Sequence, residues 1–120
     1  MNGNDIVIVS ATRTAIGKFG GQFATTSAIE LGTAVAKSAI QKAKLSPDQI
    51  DTVIFGNVLQ AGLGQNPARQ VGLKAGLLHS STALTVNEVC GSGLKAIILA
   101  AQSLRLGDAK IVLAGGMENM

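Results

Sequence analysis

Ala83-Leu84-Thr85-Val86-Asn87-Glu88-Val89-Cys90-Gly91-Ser92-Gly93-Leu94-Lys95-Ala96-Ile97-Ile98 changes its hydrophobic period partway along. The first four residues are a short, largely apolar run of the kind that fills a buried strand. From Cys90 onward the apolar positions take three-and-four spacing, with Leu94, Ile97, Ile98, Ala101 and Leu104 on one face, which predicts a helix from about Cys90 to Leu106. Arg105 suits the last turn of that helix, and Gly107 suits a left-handed C-cap.

The same alternation repeats outward in both directions. Ile6 to Val9, Thr52 to Phe55 and Ile111 to Ala114 are similar short apolar runs, and with Ala83 to Val86 they predict four buried strands. Between the first two, Gly32, Val35, Ala36, Ala39, Ile40 and Ala43 mark the apolar stripe of a helix from Ser27 to Lys44. Ser27 and Glu30 form a capping-box pair at its start, the hydroxyl accepting from the amide three residues on and the carboxylate reaching back. Lys42 and Lys44 suit its negative end. A second helix is predicted from Asn66-Pro67 to near Gly76, because Asn caps well and Pro in the first turn gives up an amide with no partner there. The order β-α-β-α-β-α-β implies an α/β fold with a mostly parallel sheet, right-handed crossovers and helices on its faces.

The 120 residues, 47% of them apolar, suffice for one compact domain with a real core. Only 14% are charged and the mean hydropathy is positive, so part of the apolar surface is expected to meet something else. The net charge of +3 is scattered, with no basic run and three aromatic residues, which argues against nucleic acid as a partner. It favours an anionic small ligand only weakly. No apolar stretch comes near the ~20 residues that cross a bilayer, and Met1 to Asp5 lack the order of a signal peptide. A cytoplasmic protein with no membrane partner is therefore expected. There is no internal repeat or linker, and Gly115 to Met120 come straight off a strand, which reads as an unfinished domain.

In sheets of this type ligands gather beyond the carboxyl ends of the strands, where helix N-termini point their amides. Ser10 to Phe23, Gly56 to Gln65 and Asn87 to Gly93 occupy such positions. The last holds the only cysteine, so an internal disulfide or a multi-cysteine metal site is excluded; Cys90 is either a buried apolar filler or a reactive thiol. Its place at a strand-to-helix junction favours a thiolate through the helix dipole and unpaired amides. Gly91 and Gly93 clear space beside the sulfur for a bulky thioester, and the Cys90 amide is placed to donate to a developing oxyanion. The same glycines would also permit tight packing, so the residues alone leave reactive and structural readings open.

Two rival motifs overlap these segments. Gly91-x-Gly93-x-x-Ala96 satisfies the loose dinucleotide-binding fingerprint, but it follows the third strand, and Glu118 lies beyond the ~20-residue spacing of a ribose-binding acid. Gly17-Lys18 is no phosphate loop, because no glycine stands five positions earlier and no Ser or Thr follows.

Asn87-Glu88-Val89-Cys90-Gly91-Ser92-Gly93-Leu94-Lys95-Ala96 resembles the acylated-cysteine signature of the thiolases, above all the biosynthetic acetyl-CoA acetyltransferases. Ile8 to Gly17 resembles the family's opening strand and turn, Gly64 to Gln70 its second-helix entry, and Ala114 to Met120 the segment after its fourth strand. The resemblance spans the whole chain in order. It implies a thiolase-like layered fold, with residues 1–120 forming part of an N-terminal domain and the loop region and C-terminal domain absent.

The resemblance further implies that Cys90 is the catalytic nucleophile, taking an acyl group from acyl-CoA as a thioester until a second acetyl-CoA, deprotonated at its methyl carbon, attacks it. Acetoacetyl-CoA is the implied product, and thiolysis the reverse. Coenzyme A thioesters are then substrates, with no separate cofactor, no cofactor-binding residue and no metal expected. In the family an activating His, a second Cys and much of the CoA-binding region lie further along, so the chain alone is expected to be inactive; full-length relatives form dimers or tetramers. His79 matches no family motif and reads as a surface residue. Arg69 reads as a helix-entry arginine holding nearby backbone or carboxylates. Met117, Glu118 and Asn119 stand near the expected site without an assigned role. The ketoacyl synthases, whose residues around the cysteine differ, are a more distant alternative.

Overall fold

A computed structural model describes residues 3–120. Its elements run α1 (Ala28–Lys42), β1 (Thr52–Gly56), α2 (Pro67–Lys74), β2 (Thr82–Val86), α3 (Ser92–Leu106) and β3 (Val112–Gly116), with a short 3-10 turn at Pro47–Gln49 before β1. The three strands form one parallel sheet in the order β2-β1-β3, with Thr52 level with both Thr82 and Val112. β1 is the middle strand, so Val53, Ile54 and Phe55 are all buried, and an unbroken apolar run is what a strand covered on both faces requires.

Helices α1 and α2 cover one face, where Ile29, Ala36 and Ile40 pack with Val53, Phe55, Val71 and Leu113. α3 covers the other, with Ala96 and Ala100 against Ile54 and beside Val86, Val112 and Ala114. The caps follow local chemistry. The Ser27 hydroxyl accepts from the Glu30 amide at 3.0 Å while Glu30 accepts from the Ser27 amide at 2.7 Å. Asn66 Oδ1 accepts from the Arg69 amide, and Gly107 ends α3 in the left-handed conformation, at φ +80°.

Asp51 ties the strand starts together. Its carboxylate accepts from the Lys110 and Ile111 amides at 2.7 and 3.0 Å, and its carbonyl accepts from Thr82. These bonds, chiefly the one from Lys110 and then that from Ile111, hold the carboxyl below its ordinary value of 3.8.

Three expectations need correcting. Ile6 to Val9 is not a strand: it pairs with no strand among the described residues, and Val7, Ile8 and Val9 are exposed. A ladder needs a neighbour within about 4.8 Å. Here a cavity of about 1000 Å³ is lined on one side by residues 6–19 and on the other by β3 and α3. The chain that follows instead clings to α1, where the Ser10 hydroxyl donates to the Ala39 carbonyl.

Helix α3 also turns a different face inward from the one expected. Ala96 and Ala100, flanked by Ser92, meet the sheet, whereas Leu94, Ile97 and Ile98 are 66%, 45% and 42% exposed. Small side chains let the helix backbone approach the sheet closely, and the larger apolar groups are left outside. Finally, one apolar stretch does come near the ~20 residues of a membrane span: Val89–Leu106, 18 residues with mean hydropathy 1.2. Its helical part has 15 residues and rises only about 22 Å, short of the ~30 Å hydrocarbon layer.

Candidate active site

Beyond Val86, β2 passes into a tight turn that carries Cys90 to the head of α3. Asn57 extends the ladder by donating its amide to the Val86 carbonyl, and the chain then closes on itself. Gly91 N–H donates to the Glu88 carbonyl at 3.1 Å and Ser92 N–H to the Val89 carbonyl at 3.2 Å. Val89 takes φ +51°, rare for a β-branched residue, with its amide on Asn87 Oδ1 at 2.9 Å. Cys90 is exposed, two residues ahead of the first helical one. It is therefore no buried filler. The amides of Gly91 and Ser92, at the helix end where unpaired amides were expected, are spent on closing the turn.

The glycines that pack are not the ones the sequence singled out. A methyl on Gly93 would meet nothing within 4 Å, and one on Gly91 only the Glu88 carbonyl at 3.4 Å. Only the Gly93 position, three residues past Cys90, faces open space. The tight contact lies below, on the sheet. A methyl on Gly56 would stand 2.5 Å from Ser92 C and 2.7 Å from Gly93 N, so the end of β1 is the seat on which the first turn of α3 rests. A methyl on Gly116, at the end of β3, would make only ordinary contact there, 3.4 Å from both Gly93 Cα and the Gly56 carbonyl oxygen.

A strap of polar residues fixes the same end of the sheet. The Glu118 carboxylate accepts from Val58 N–H at 2.8 Å, Leu59 N–H at 3.0 Å and Asn57 Nδ2 at 3.1 Å. Asn57, 1% exposed, also donates to the Met117 carbonyl, while its Oδ1 has no partner among the described residues. Asn119 Nδ2 donates to the Phe23 and Thr26 carbonyls ahead of α1. The loop after β1, the turn after β2, the chain after β3 and the approach to α1 thus meet at the carboxyl edge of the sheet. Of Ser10 to Phe23, Asn119 ties down only the far end.

Sequence reasoning missed Ser92, Asn57 and Gly56, and gave Glu118 and Asn119 no task. For Gly56 and Asn57 the available signal was a glycine or polar residue standing directly after an apolar run; Ser92, at the start of α3, carried no such signal. Arg69 does what was expected, donating from its guanidinium to the Ser81 and His79 carbonyls, and His79 lies exposed. Lys95 and Glu88 flank the turn as an ion pair of 3.8 Å, half-exposed and worth little. The nearest groove, about 340 Å³, is lined by Glu88, Gly91, Leu94, Lys95 and Ile98, whereas no residue of the turn lines the larger cavity.

An exposed thiol at a strand-to-helix turn, seated on glycines of a parallel α/β sheet, defines a class, and residues 6–120 match the family model for the thiolase N-terminal domain: the chain belongs to the thiolase family. Among individual relatives, it is 61% identical over 114 residues to the acetyl-CoA acetyltransferase of Escherichia coli, covering 95% of this chain and 29% of that one. It is 60% identical over 120 residues to the acetyl-CoA acetyltransferase of Allochromatium vinosum, covering 100% and 30%, and 55% identical over 115 residues to the cytosolic one of Mus musculus, covering 96% and 29%. The crystal structure of the Acat5 thiolase from Ascaris suum in complex with coenzyme A superposes with a TM-score of 0.90 at 45% identity, over 91% of this chain and 28% of that one. The chain thus has the α/β thiolase-like fold and spans about 30% of the length of the acetyltransferases it matches.

Proposed function

We propose that this chain supplies the nucleophile-bearing part of an acetyl-CoA C-acetyltransferase, with Cys90 as the catalytic nucleophile. The observation that carries the reading is the exposed Cys90 on its glycine-flanked turn, in a chain 61% identical to an acetyl-CoA acetyltransferase. Cys90 Sγ attacks the carbonyl carbon of acetyl-CoA. The new S–C bond forms as the bond to the CoA sulfur breaks, and CoA leaves with the proton. A second acetyl-CoA then loses a methyl proton, and its carbon attacks the enzyme-bound acyl carbon. The C–C bond forms as the bond from the acyl carbon to Cys90 Sγ breaks, the thiolate released takes up the proton lost from the methyl carbon, and the products of the two halves are acetoacetyl-CoA and CoA.

The turn suits the first half of this sequence. Open space over Gly93 admits the thioester, and the Cys90 amide is the donor at hand for charge on the acyl oxygen. The family resemblance assigns the activating base and the acid of the second half to later segments. Relatives named as cytosolic favour the cytoplasm as the compartment, and assembly as a dimer or tetramer belongs to the same reading.

The test is a chimaera in which this chain replaces the matching part of the Escherichia coli relative. Incubated with acetyl-CoA it should gain one acetyl group on Cys90, located by peptide mass, and should thiolyse acetoacetyl-CoA; Cys90→Ala should remove both. A folded chimaera that is acetylated elsewhere, or a Cys90→Ala chimaera that still turns over, overturns the proposal. The 120-residue chain alone should show no thiolysis.

A further inference from the structure

Ser92 is polar yet 4% exposed, and its hydroxyl is engaged both ways: it accepts from the Glu88 amide at 2.8 Å and donates to the Val89 carbonyl at 2.6 Å. A capping hydroxyl at a helix start accepts from an amide further along the chain. Ser92 does the reverse, reaching back across Cys90 to the two residues before it. Between those anchor points stands Val89 at φ +51°, a conformation that crowds a β-branched side chain and persists only where the surroundings over-determine it. The Ser92 hydroxyl bond to the Val89 carbonyl, the Ser92 amide bond to that same carbonyl and the Asn87 bond to the Val89 amide are those surroundings. Ser92 cannot drift away, because Gly56 lies against it: a methyl there would stand 2.7 Å from Ser92 Cβ.

We infer that Ser92 is a positioning residue for Cys90: its buried hydroxyl closes residues 88–92 into a loop and holds Val89 in the left-handed turn that presents the thiol at the head of α3. The inference rests on the reading of Cys90 as the nucleophile. A glycine takes up positive φ without help, so the demand on the Ser92 hydroxyl should vanish when Val89 is replaced by glycine.

The chain has one thiol, so alkylation by iodoacetamide reads Cys90 alone. Its rate is followed against pH, natively and in guanidinium, for wild type, Ser92→Ala, Val89→Gly and the double variant, with folding checked by circular dichroism. The wild-type native rate should exceed that of the unfolded chain. Ser92→Ala should lower it about fivefold and move its pH profile toward the unfolded one, while in the Val89→Gly background the same change should cost less than about twofold. Equal losses in both backgrounds, or no loss in a folded Ser92→Ala chain, overturn the inference. If Ser92→Ala alone fails to fold, a folded double variant reacting like Val89→Gly supports it, and failure to fold in both backgrounds overturns it. A wild-type native rate no faster than the unfolded one removes the nucleophile reading itself, an outcome distinct from an activated thiol that ignores Ser92.

Discussion

Gly56→Ala probes the seat of the thiol-bearing turn from 34 residues away in sequence, counting from Gly56 to Cys90. The added methyl would lie 2.5 Å from Ser92 C, 2.7 Å from Gly93 N and 2.7 Å from Ser92 Cβ. Ordinary carbon contacts sit at about 3.5–4 Å, so the two elements must part by roughly 1 Å. No rotamer change relieves this, because two of the three atoms are backbone in the first turn of α3. Overpacking of this sort destabilises by about 1–3 kcal/mol. At about 4 °C per kcal/mol for a domain of this size, Tm should fall by about 4–12 °C. Gly93→Ala is the control: its methyl meets nothing within 4 Å, and alanine gains about 0.5–1 kcal/mol over glycine within a helix. Thermal unfolding followed by circular dichroism measures both, with Cys90 alkylation reporting the displaced turn. A Gly56→Ala melt within about 1 °C of wild type, or equal losses for the two variants, would refute the seat.

Two further outcomes follow from the ends of the elements. Asp51 has its folded value depressed by the Lys110 and Ile111 amides, so its contribution is present above the unfolded value and is lost as pH falls through the folded one. The stability difference between wild type and Asp51→Asn in urea should therefore shrink below about pH 4, and a difference that stays constant into that range contradicts the assignment. Ser27→Ala removes the acceptor for the Glu30 amide and should lower stability by about 1 kcal/mol, or about 4 °C in Tm; an unchanged melt would mean the capping box contributes nothing.

Local chemistry was legible in the chain. The caps at Ser27, Asn66 and Gly107 involve residues within a few positions of one another, and their partners are fixed as soon as the helix forms. The runs beginning near Thr52, Ala83 and Ile111 announced strands, and the alternation with helices announced a parallel sheet. Cys90 was legible both as the one thiol at a strand-to-helix junction and through the family signature around it.

Other features were decided only by the assembled structure, because they depend on which surfaces meet. Ile6 to Val9 carries the same signal as the true strands, but a strand exists only against a partner, and here a cavity intervenes. The spacing of α3 fixed its period and left open which stripe the sheet would select; the close approach of the backbones selected alanines over leucine and isoleucines. Asn57 and Glu118 stand 61 positions apart, and nothing in either segment names the other. The sequence by itself determined the thiol, the caps and the parallel α/β class, since these follow from residue chemistry and short-range spacing. Tertiary structure alone decided what holds the thiol in place, since the contacts of Gly56 with Ser92 and of Glu118 with Val58 arise only when β1, α3 and β3 converge at one edge of the sheet.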